Sequence, residues 1–190
     1  MRLLLASKSP RRRQLLSELG YPIDYITIDV DESLDEPVAA DCVAETLARR
    51  KAAALPVGTL GDDDILVTAD TVVVHRGQVL GKPKDRDEAV SMLRSLSGDR
   101  HTVYTGVCLR SSEQEVSFTE ATDVIFRPLD DEDIAYYVDN YRPYDKAGAY
   151  GVQEWIGMVG VSRLEGCYYN VMGLPVARLY EILKSKFSSR

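Results

Sequence analysis

Residues 2–20 read Arg2-Leu3-Leu4-Leu5-Ala6-Ser7-Lys8-Ser9-Pro10-Arg11-Arg12-Arg13-Gln14-Leu15-Leu16-Ser17-Glu18-Leu19-Gly20, and this stretch decides how the fold begins. It predicts a short buried strand, a tight polar loop and a helix whose leucines repeat at helical spacing. Ser9 is a favourable N-cap, and Pro10 suits the first helical position because its missing N–H would be unpaired there anyway. Gly20 suits the position just past the helix end.

The start of this helix predicts a binding site for an anion. Backbone N–H groups and the positive end of the helix dipole meet two serine hydroxyls and three arginines there. The residues concerned are Ser7, Ser9, Arg11, Arg12 and Arg13. We expect a phosphate chain at this point. The alternative is a solvated basic first turn, in which another group must offset cations that oppose the dipole.

Composition and charge restrict the function classes. The chain has 190 residues, enough for one large domain or two small lobes. A net charge of −7 argues against a nucleic-acid binder, whose footprint is a broad basic face. No apolar run is long enough for a membrane span or a signal peptide, so we expect a cytoplasmic protein without a membrane partner. The three cysteines form no CxxC pair and indicate neither a disulfide framework nor a zinc site.

Carboxylates are concentrated in residues 29–37, directly after a predicted strand at Tyr25–Ile28. Such a cluster, which includes Glu32, can hold a divalent cation, and a solvated acidic loop is the alternative. A helix is predicted from Val38 to Ala54. Lys51 lies near its end, where the helix dipole favours cations, and a phosphate contact is the other interpretation of this lysine.

An aspartate interrupts the most apolar strand of the chain. The strand is predicted over Ile65–Val74, and its β-branched residues are typical of a strand buried on both faces. Asp70 is costly there unless it is paired or binds a metal, and a buried aspartate that is satisfied locally is the alternative. Lys82, held between Gly81 and Pro83, is either a fixed charge against phosphate or a surface lysine. The glycine-rich run of a P-loop is absent from the sequence.

The remaining segments predict a mixed α/β chain. The expected elements are a hairpin turn at His75–Gln78, a helix from Asp85, strands at His101–Arg110 and Glu115–Phe126, a helix capped by Asp130, a strand at Val159–Leu164, and a loop at Gly166–Pro175 before a C-terminal helix. Tyr168 and Tyr169 are candidates to stack on a base, although tyrosines more often belong to a core.

Five ordered motifs resemble the Maf family of nucleotide pyrophosphatases, and together they cover nearly the whole chain. The motifs are Leu5-Ala6-Ser7-Lys8-Ser9-Pro10-Arg11-Arg12, Ala69-Asp70-Thr71-Val72-Val73, Gly81-Lys82-Pro83, Asp145-Lys146-Ala147-Gly148-Ala149-Tyr150-Gly151-Val152-Gln153 and Gly166-Cys167-Tyr168-Tyr169-Asn170-Val171-Met172-Gly173-Leu174-Pro175. The resemblance implies the architecture of inosine triphosphate pyrophosphatases: an elongated mixed, twisted sheet with flanking helices and two lobes around a deep cleft. It also implies a single Maf-like domain over residues 1–190.

The resemblance further implies a reaction. Maf proteins cleave nucleoside triphosphates to the monophosphate and pyrophosphate with a divalent cation, and Asp70 matches their proton acceptor. Arg11, Thr71 and Gln153 match the specificity positions of the subgroup that acts on dTTP and UTP, and the subgroup that acts on 7-methyl-GTP differs there. Glu154 departs from the glycine that relatives often carry, which leaves the shape of the adjoining loop open. The resemblance also implies a homodimer.

The residues and the resemblance lead to one hypothesis, in which water attacks the α-phosphorus and pyrophosphate leaves. Asp70 orients or deprotonates that water, and Glu32 helps Asp70 to hold Mg²⁺ or Mn²⁺. A further set of polar and positive groups neutralises the phosphate chain. They are Ser7, Arg11, Arg12, Lys51 and Lys82.

Two points stay open from the sequence. Arg11 is a candidate contact for either the base or the phosphates, whereas Gln153 offers a donor and an acceptor to a pyrimidine. The competing function class is a nucleotide-binding regulator of cell division and septum formation with little catalysis. A phosphomonoesterase, which would release orthophosphate, is a third class.

Overall fold

The computed structural model describes residues 1–33, 38–56 and 58–187, and within them lies a seven-stranded mixed sheet. The strands are β1 (Arg2–Ala6), β2 (Ile23–Ile26), β3 (Asp64–His75), β4 (Gln78–Leu80), β5 (Arg100–Arg110), β6 (Glu115–Phe126) and β7 (Val161–Glu165). Their order is β2-β1-β3-β5-β6-β7, with β4 also paired to β3. β1 is parallel to β2 and β3, whereas β4 and β7 are antiparallel to their partners. The expected mixed α/β fold is confirmed.

Helices flank this sheet. They are α1 (Pro10–Ser17), α2 (Val43–Ala53), α3 (Arg86–Leu96), α4 (Asp131–Tyr141), α5 (Trp155–Gly160), α6 (Tyr168–Met172) and α7 (Val176–Ile182), with a 3-10 turn at Ala147–Ala149 and a π-helical segment at Leu183–Phe187. The predicted caps are confirmed: the side chains of Ser9, Asp85 and Asp130 each accept a hydrogen bond from the backbone N–H three residues on. Among the described helices, none is long and apolar enough to cross a membrane.

Several predicted boundaries are wrong. The helix expected from Val38 begins only at Val43, since the preceding residues form a turn closed by the Cys42 N–H donating to the Ala39 carbonyl at 2.8 Å. The second strand lies at Ile23–Ile26 rather than Tyr25–Ile28, because its register is set by pairing with β1. The loop expected at Gly166–Pro175 contains α6, and α5 was not expected at all.

Contacts divide the chain into two compact units, in agreement with the two lobes that the resemblance implies. The first unit consists of Met1–Asp70, Thr105–Glu120 and Gly173–Arg190, and the second of Thr71–Tyr104 and Ala121–Met172. The strands β3, β5 and β6 each contribute residues to both units.

In the first unit, α2 packs closely against the sheet. Gly106 of β5 makes this approach possible, because a Cβ atom added there would lie 2.2 Å from the backbone nitrogen of Glu45. The carboxylate of Glu45 accepts hydrogen bonds from the hydroxyls of Ser117 and Thr119 at 2.6 and 2.7 Å. The Thr68 hydroxyl of β3 donates to the carbonyl of Ala48, also at 2.6 Å. These contacts fix the position of the last turn of α2, which carries Lys51.

The second unit has its own core, formed by the ends of β3, β5 and β6 with α3, α4 and the segment 147–156. Tyr137 and Phe126 are its largest buried side chains. His101 and Tyr150 are also buried, and His101 Nε2 lies 2.7 Å from Tyr150 Oη. This core therefore supports the Gly-Ala-Tyr-Gly segment that precedes Gln153.

Candidate active site

Asp70 is paired with a lysine within the first unit. The ammonium group of Lys51 contacts a carboxylate oxygen of Asp70 and lies 2.7 Å from Glu32 Oε1. The side chains of Asp70 and Lys51 are 16% and 14% exposed, and that of Glu32 is 52% exposed. Asp70 therefore does not point into the apolar core, and its ion pair offsets the cost of placing a carboxylate in β3. Lys51 joins the two acidic residues that the sequence predicts as metal ligands.

The oxygen atoms of Glu32 and Asp70 are suitable for a divalent cation. Mg²⁺ is commonly held by one or two carboxylates together with substrate phosphates and water. Within the described ranges, no group of three or more His, Cys, Asp or Glu side chains could hold a metal. Asp35 and Glu36, which belong to the predicted acidic cluster, lie outside the described residues. A cation held by Glu32 and Asp70 would therefore need further ligands from outside the described residues.

Arg12 has a structural role that the sequence does not reveal. Its Nε donates to the carbonyl of Gly173 and its Nη1 to the carbonyl of Ala69, both at 2.8 Å. Burial lowers the pKa of the guanidinium from its usual value, and the negative charges of Asp70 and Glu32 oppose that shift. Arg12 therefore holds the backbone of β3 one residue before Asp70, and its charge lies in the field of both acidic residues.

The loop before α1 is held by its own hydrogen bonds. Ser7 is buried, and its Oγ accepts a hydrogen bond from the Ser9 N–H at 3.2 Å. Arg13 donates to the Ser7 carbonyl at 3.2 Å, and its guanidinium lies 4.9 Å from the centre of the Tyr25 ring. The positive charge of Arg11 lowers the pKa of the neighbouring Arg12 guanidinium. The predicted cluster of cations is thus present, with Arg13 packed against β2.

The second unit contains Thr71, Lys82 and Gln153. Lys82 is exposed, and the loop that carries it is bonded to the segment before Gln153, because the Gly148 N–H donates to the Gly81 carbonyl at 3.0 Å. Gln153 Oε1 is buried and accepts no hydrogen bond from the part of the chain that the structure describes. Thr71 is half-buried and follows Asp70 in β3. Two of the predicted residues therefore lie on loops that are joined to each other.

The sequence does not reveal the polar network around Glu154, the residue that follows Gln153. Tyr137 and Lys146 both contact the Glu154 carboxylate. The departure at Glu154 is the signal that could have pointed to this network. Tyr168 and Tyr169, in contrast, are 40% and 47% exposed and do not belong to the core.

A comparison with known proteins identifies the family to which the chain belongs. The family described as Maf-like protein matches residues 2–186. The chain belongs to the Maf-like family. A relative from Bacteroides fragilis named dTTP/UTP pyrophosphatase is 51% identical over 186 residues, which span 96% of this Maf-like chain and 95% of that protein. A relative from Bacteroides thetaiotaomicron with the same name is 52% identical over 185 residues, spanning 96% and 94%.

Solved structures were also compared with this Maf-like chain. The Staphylococcus aureus Ham1 protein aligns with a TM-score of 0.45 and 13% identity, covering 66% of this chain and 72% of that one.

Proposed function

We propose that this chain is a nucleoside triphosphate pyrophosphatase that hydrolyses dTTP and UTP to the nucleoside monophosphate and pyrophosphate. Relatives of this name are about half identical to it over 96% of its length. The observation that carries the proposal is the ion pair of Asp70 with Lys51, which also contacts Glu32 and lies in the same unit as the arginines of α1. This arrangement combines a carboxylate with several cations, as phosphoanhydride hydrolysis requires.

In the proposed mechanism Asp70 acts as the general base. It accepts a proton from water, the water oxygen forms a bond to the α-phosphorus, and the bond between the α-phosphorus and the bridging oxygen breaks to release pyrophosphate. Glu32 and Asp70 would hold Mg²⁺ or Mn²⁺, which supplies charge neutralisation of the phosphates when it is bound. Lys51 and Lys82 are assigned to the phosphate chain.

The start of α1 is assigned to the same phosphate chain. Ser7, Arg11 and Arg12 contribute there a hydroxyl and positive charge, at a helix end whose dipole favours an anion. Arg12 also donates a hydrogen bond to the carbonyl of Ala69 in β3. The same side chain is therefore assigned to the phosphates and fixes the strand that carries Asp70.

Selectivity for dTTP and UTP is assigned to Arg11, Thr71 and Gln153. Thymine and uracil present an N3–H donor between two carbonyls, whereas cytosine has no hydrogen on N3. The buried Oε1 of Gln153, which has no donor within the described residues, is suited to accept from that N3–H. A buried acceptor that is left unsatisfied is costly, which favours a ligand able to donate to it.

We assign one Maf-like domain over residues 1–190, a homodimer, a location in the cytoplasm, and a small-molecule nucleotide as the partner rather than nucleic acid or a membrane. The net charge of −7 supports the exclusion of nucleic acid.

One assay tests the function. The protein is incubated with dTTP and Mg²⁺, and pyrophosphate and orthophosphate are measured separately. We expect pyrophosphate. Orthophosphate would instead identify a phosphomonoesterase, and tight binding without turnover would favour the regulator of cell division.

The variant Asp70→Asn tests the base. Its turnover should fall at least about 100-fold, because the amide keeps the shape but cannot accept the proton. Asp62→Asn, which changes an exposed aspartate before β3, is the matched control and should behave as the wild type. Near-normal pyrophosphate release from the Asp70 variant would refute the assignment.

A further inference from the structure

The carboxylate of Glu154 is held from two sides in the second unit. The hydroxyl of Tyr137 donates to Glu154 Oε2, and the ammonium of Lys146 lies 3.1 Å from Glu154 Oε1. The Tyr137 hydroxyl also accepts a hydrogen bond from the Gly151 N–H at 3.0 Å, and Lys146 contacts Asp145 at 2.7 Å. A single tyrosine hydroxyl therefore joins the side chain of Glu154 to the backbone of its own loop.

This network is largely removed from water. Tyr137 is completely buried, and the side chains of Lys146 and Glu154 are 9% and 20% exposed. Burial raises the pKa of Tyr137, and the hydrogen bond to Glu154 raises it further, so the phenol remains a donor. Removing one partner of such a pair leaves the other charge buried without compensation, so each contact in the network is costly to break.

The network is directly connected to Gln153. The Glu154 N–H donates to the Gly151 carbonyl at 3.0 Å, which closes a tight turn over residues 151–154. The side chains of Gln153 and Glu154 both fold back over Gly151, where an added Cβ would lie 2.8 Å from Gln153 Nε2 and 2.9 Å from Glu154 Cδ. Because the two side chains share this small space, the position of one restricts the position of the other.

We propose that Glu154 is a positioning residue for Gln153, held by Tyr137 and Lys146, so that pyrimidine selectivity depends on a carboxylate that does not touch the base. The inference rests on the proposed function, since it assigns Gln153 to the base. A fixed acceptor binds its donor more tightly than a mobile one, because less side-chain entropy is lost on binding.

A purely structural role for the network predicts a different outcome. If Glu154 only stabilises the second unit, its loss lowers the melting temperature and the amount of active protein, with KM unchanged. If it orients Gln153, its loss raises KM for dTTP and UTP while kcat changes little, because the reacting phosphates are held by other groups. A rise in KM therefore identifies the orienting role, whereas a lower melting temperature with an unchanged KM identifies the structural one.

The test uses the full chain and two substitutions that keep size and shape. Glu154→Gln removes the charge that faces Lys146, and Tyr137→Phe removes only the hydroxyl. Each should raise KM for dTTP and UTP about 10-fold, the effect of losing one charge-assisted hydrogen bond, with kcat within about 3-fold. Glu113→Gln, in the exposed turn between β5 and β6, is the matched control and should leave both constants unchanged.

A double-mutant cycle decides whether Glu154 acts through Gln153. In a Gln153→Ala background, Glu154→Gln should have no further effect on KM, because the side chain that it orients is gone. An equal rise in KM with and without Gln153 overturns the proposal, as does a Glu154→Gln variant that matches the control. If that variant does not fold, Tyr137→Phe completes the same cycle. Absence of pyrophosphate release from the wild type overturns the proposed function together with this inference, whereas an active wild type with additive effects overturns the inference alone.

Discussion

Lowering the pH from 7 to 5 should destabilise this protein through His101. The imidazole is 2% exposed, and its Nε2 is hydrogen-bonded to Tyr150. Burial lowers the pKa of His101 to about 4, against about 6.5 for a histidine in an unfolded chain. Between these two values the unfolded chain binds more protons than the folded one, so stability falls as the pH falls. The two pKa values give a loss of about 2 kcal/mol between pH 7 and pH 5.

The assay is urea unfolding at pH 7, 6 and 5, performed on the wild type and on His101→Gln. Glutamine does not titrate in this range and can still form a hydrogen bond with Tyr150. The carboxylates titrate in both proteins, so their contribution cancels in the difference between the two curves. The wild type should lose about 2 kcal/mol more than the variant. Equal losses in the two proteins would show that His101 is not buried in its neutral form, and the reasoning would fail.

Two further substitutions test the packing around the site. Arg12→Lys should reduce turnover by at least about 10-fold, because one ammonium cannot replace the planar group that bonds two carbonyls. Arg94→Lys, in an exposed ion pair, is the matched control and should leave turnover unchanged. Gly106→Ala should destabilise the chain by about 3 kcal/mol, since its Cβ would overlap the backbone of Glu45. Gly81→Ala, where nothing lies within 4 Å of the added atom, should cost under about 1 kcal/mol in the same urea unfolding experiment.

The elements predicted correctly are those whose signals are local in the sequence. Ser9, Asp85 and Asp130 begin their helices as expected, because an N-cap interacts with residues only three positions away. Helix α6 could not be predicted in this way. It is tied to the second unit by the buried amide of Asn170, which donates to the carbonyl of Val103 at 3.0 Å, a residue 67 positions away.

In the candidate site, too, signals carried by neighbouring residues could be predicted, whereas contacts between residues far apart in the chain could not. The sequence predicts that an aspartate in an apolar strand requires a partner, but it does not say which one. The partner, Lys51, reaches Asp70 because α2 lies against β5 at Gly106, a contact between residues about 60 positions apart. The hydrogen bonds of Arg12 to two backbone carbonyls are equally invisible, since any residue type can supply a carbonyl.

Asp70 contributes to stability through its ion pair with Lys51 and to the proposed reaction as the proton acceptor. The second carboxylate beside Lys51, that of Glu32, allows these two contributions to be measured separately. Breaking a largely buried ion pair by removing one partner commonly costs about 3–5 kcal/mol, because the remaining charge is left uncompensated. Lys51, however, is also within 2.7 Å of Glu32, so the ammonium keeps one carboxylate when Asp70 becomes asparagine. The asparagine can still accept a hydrogen bond from Lys51 through its amide oxygen. A loss of turnover in that variant with an unchanged urea midpoint would therefore reflect the loss of the Asp70 carboxylate, as proton acceptor and as metal ligand, rather than unfolding.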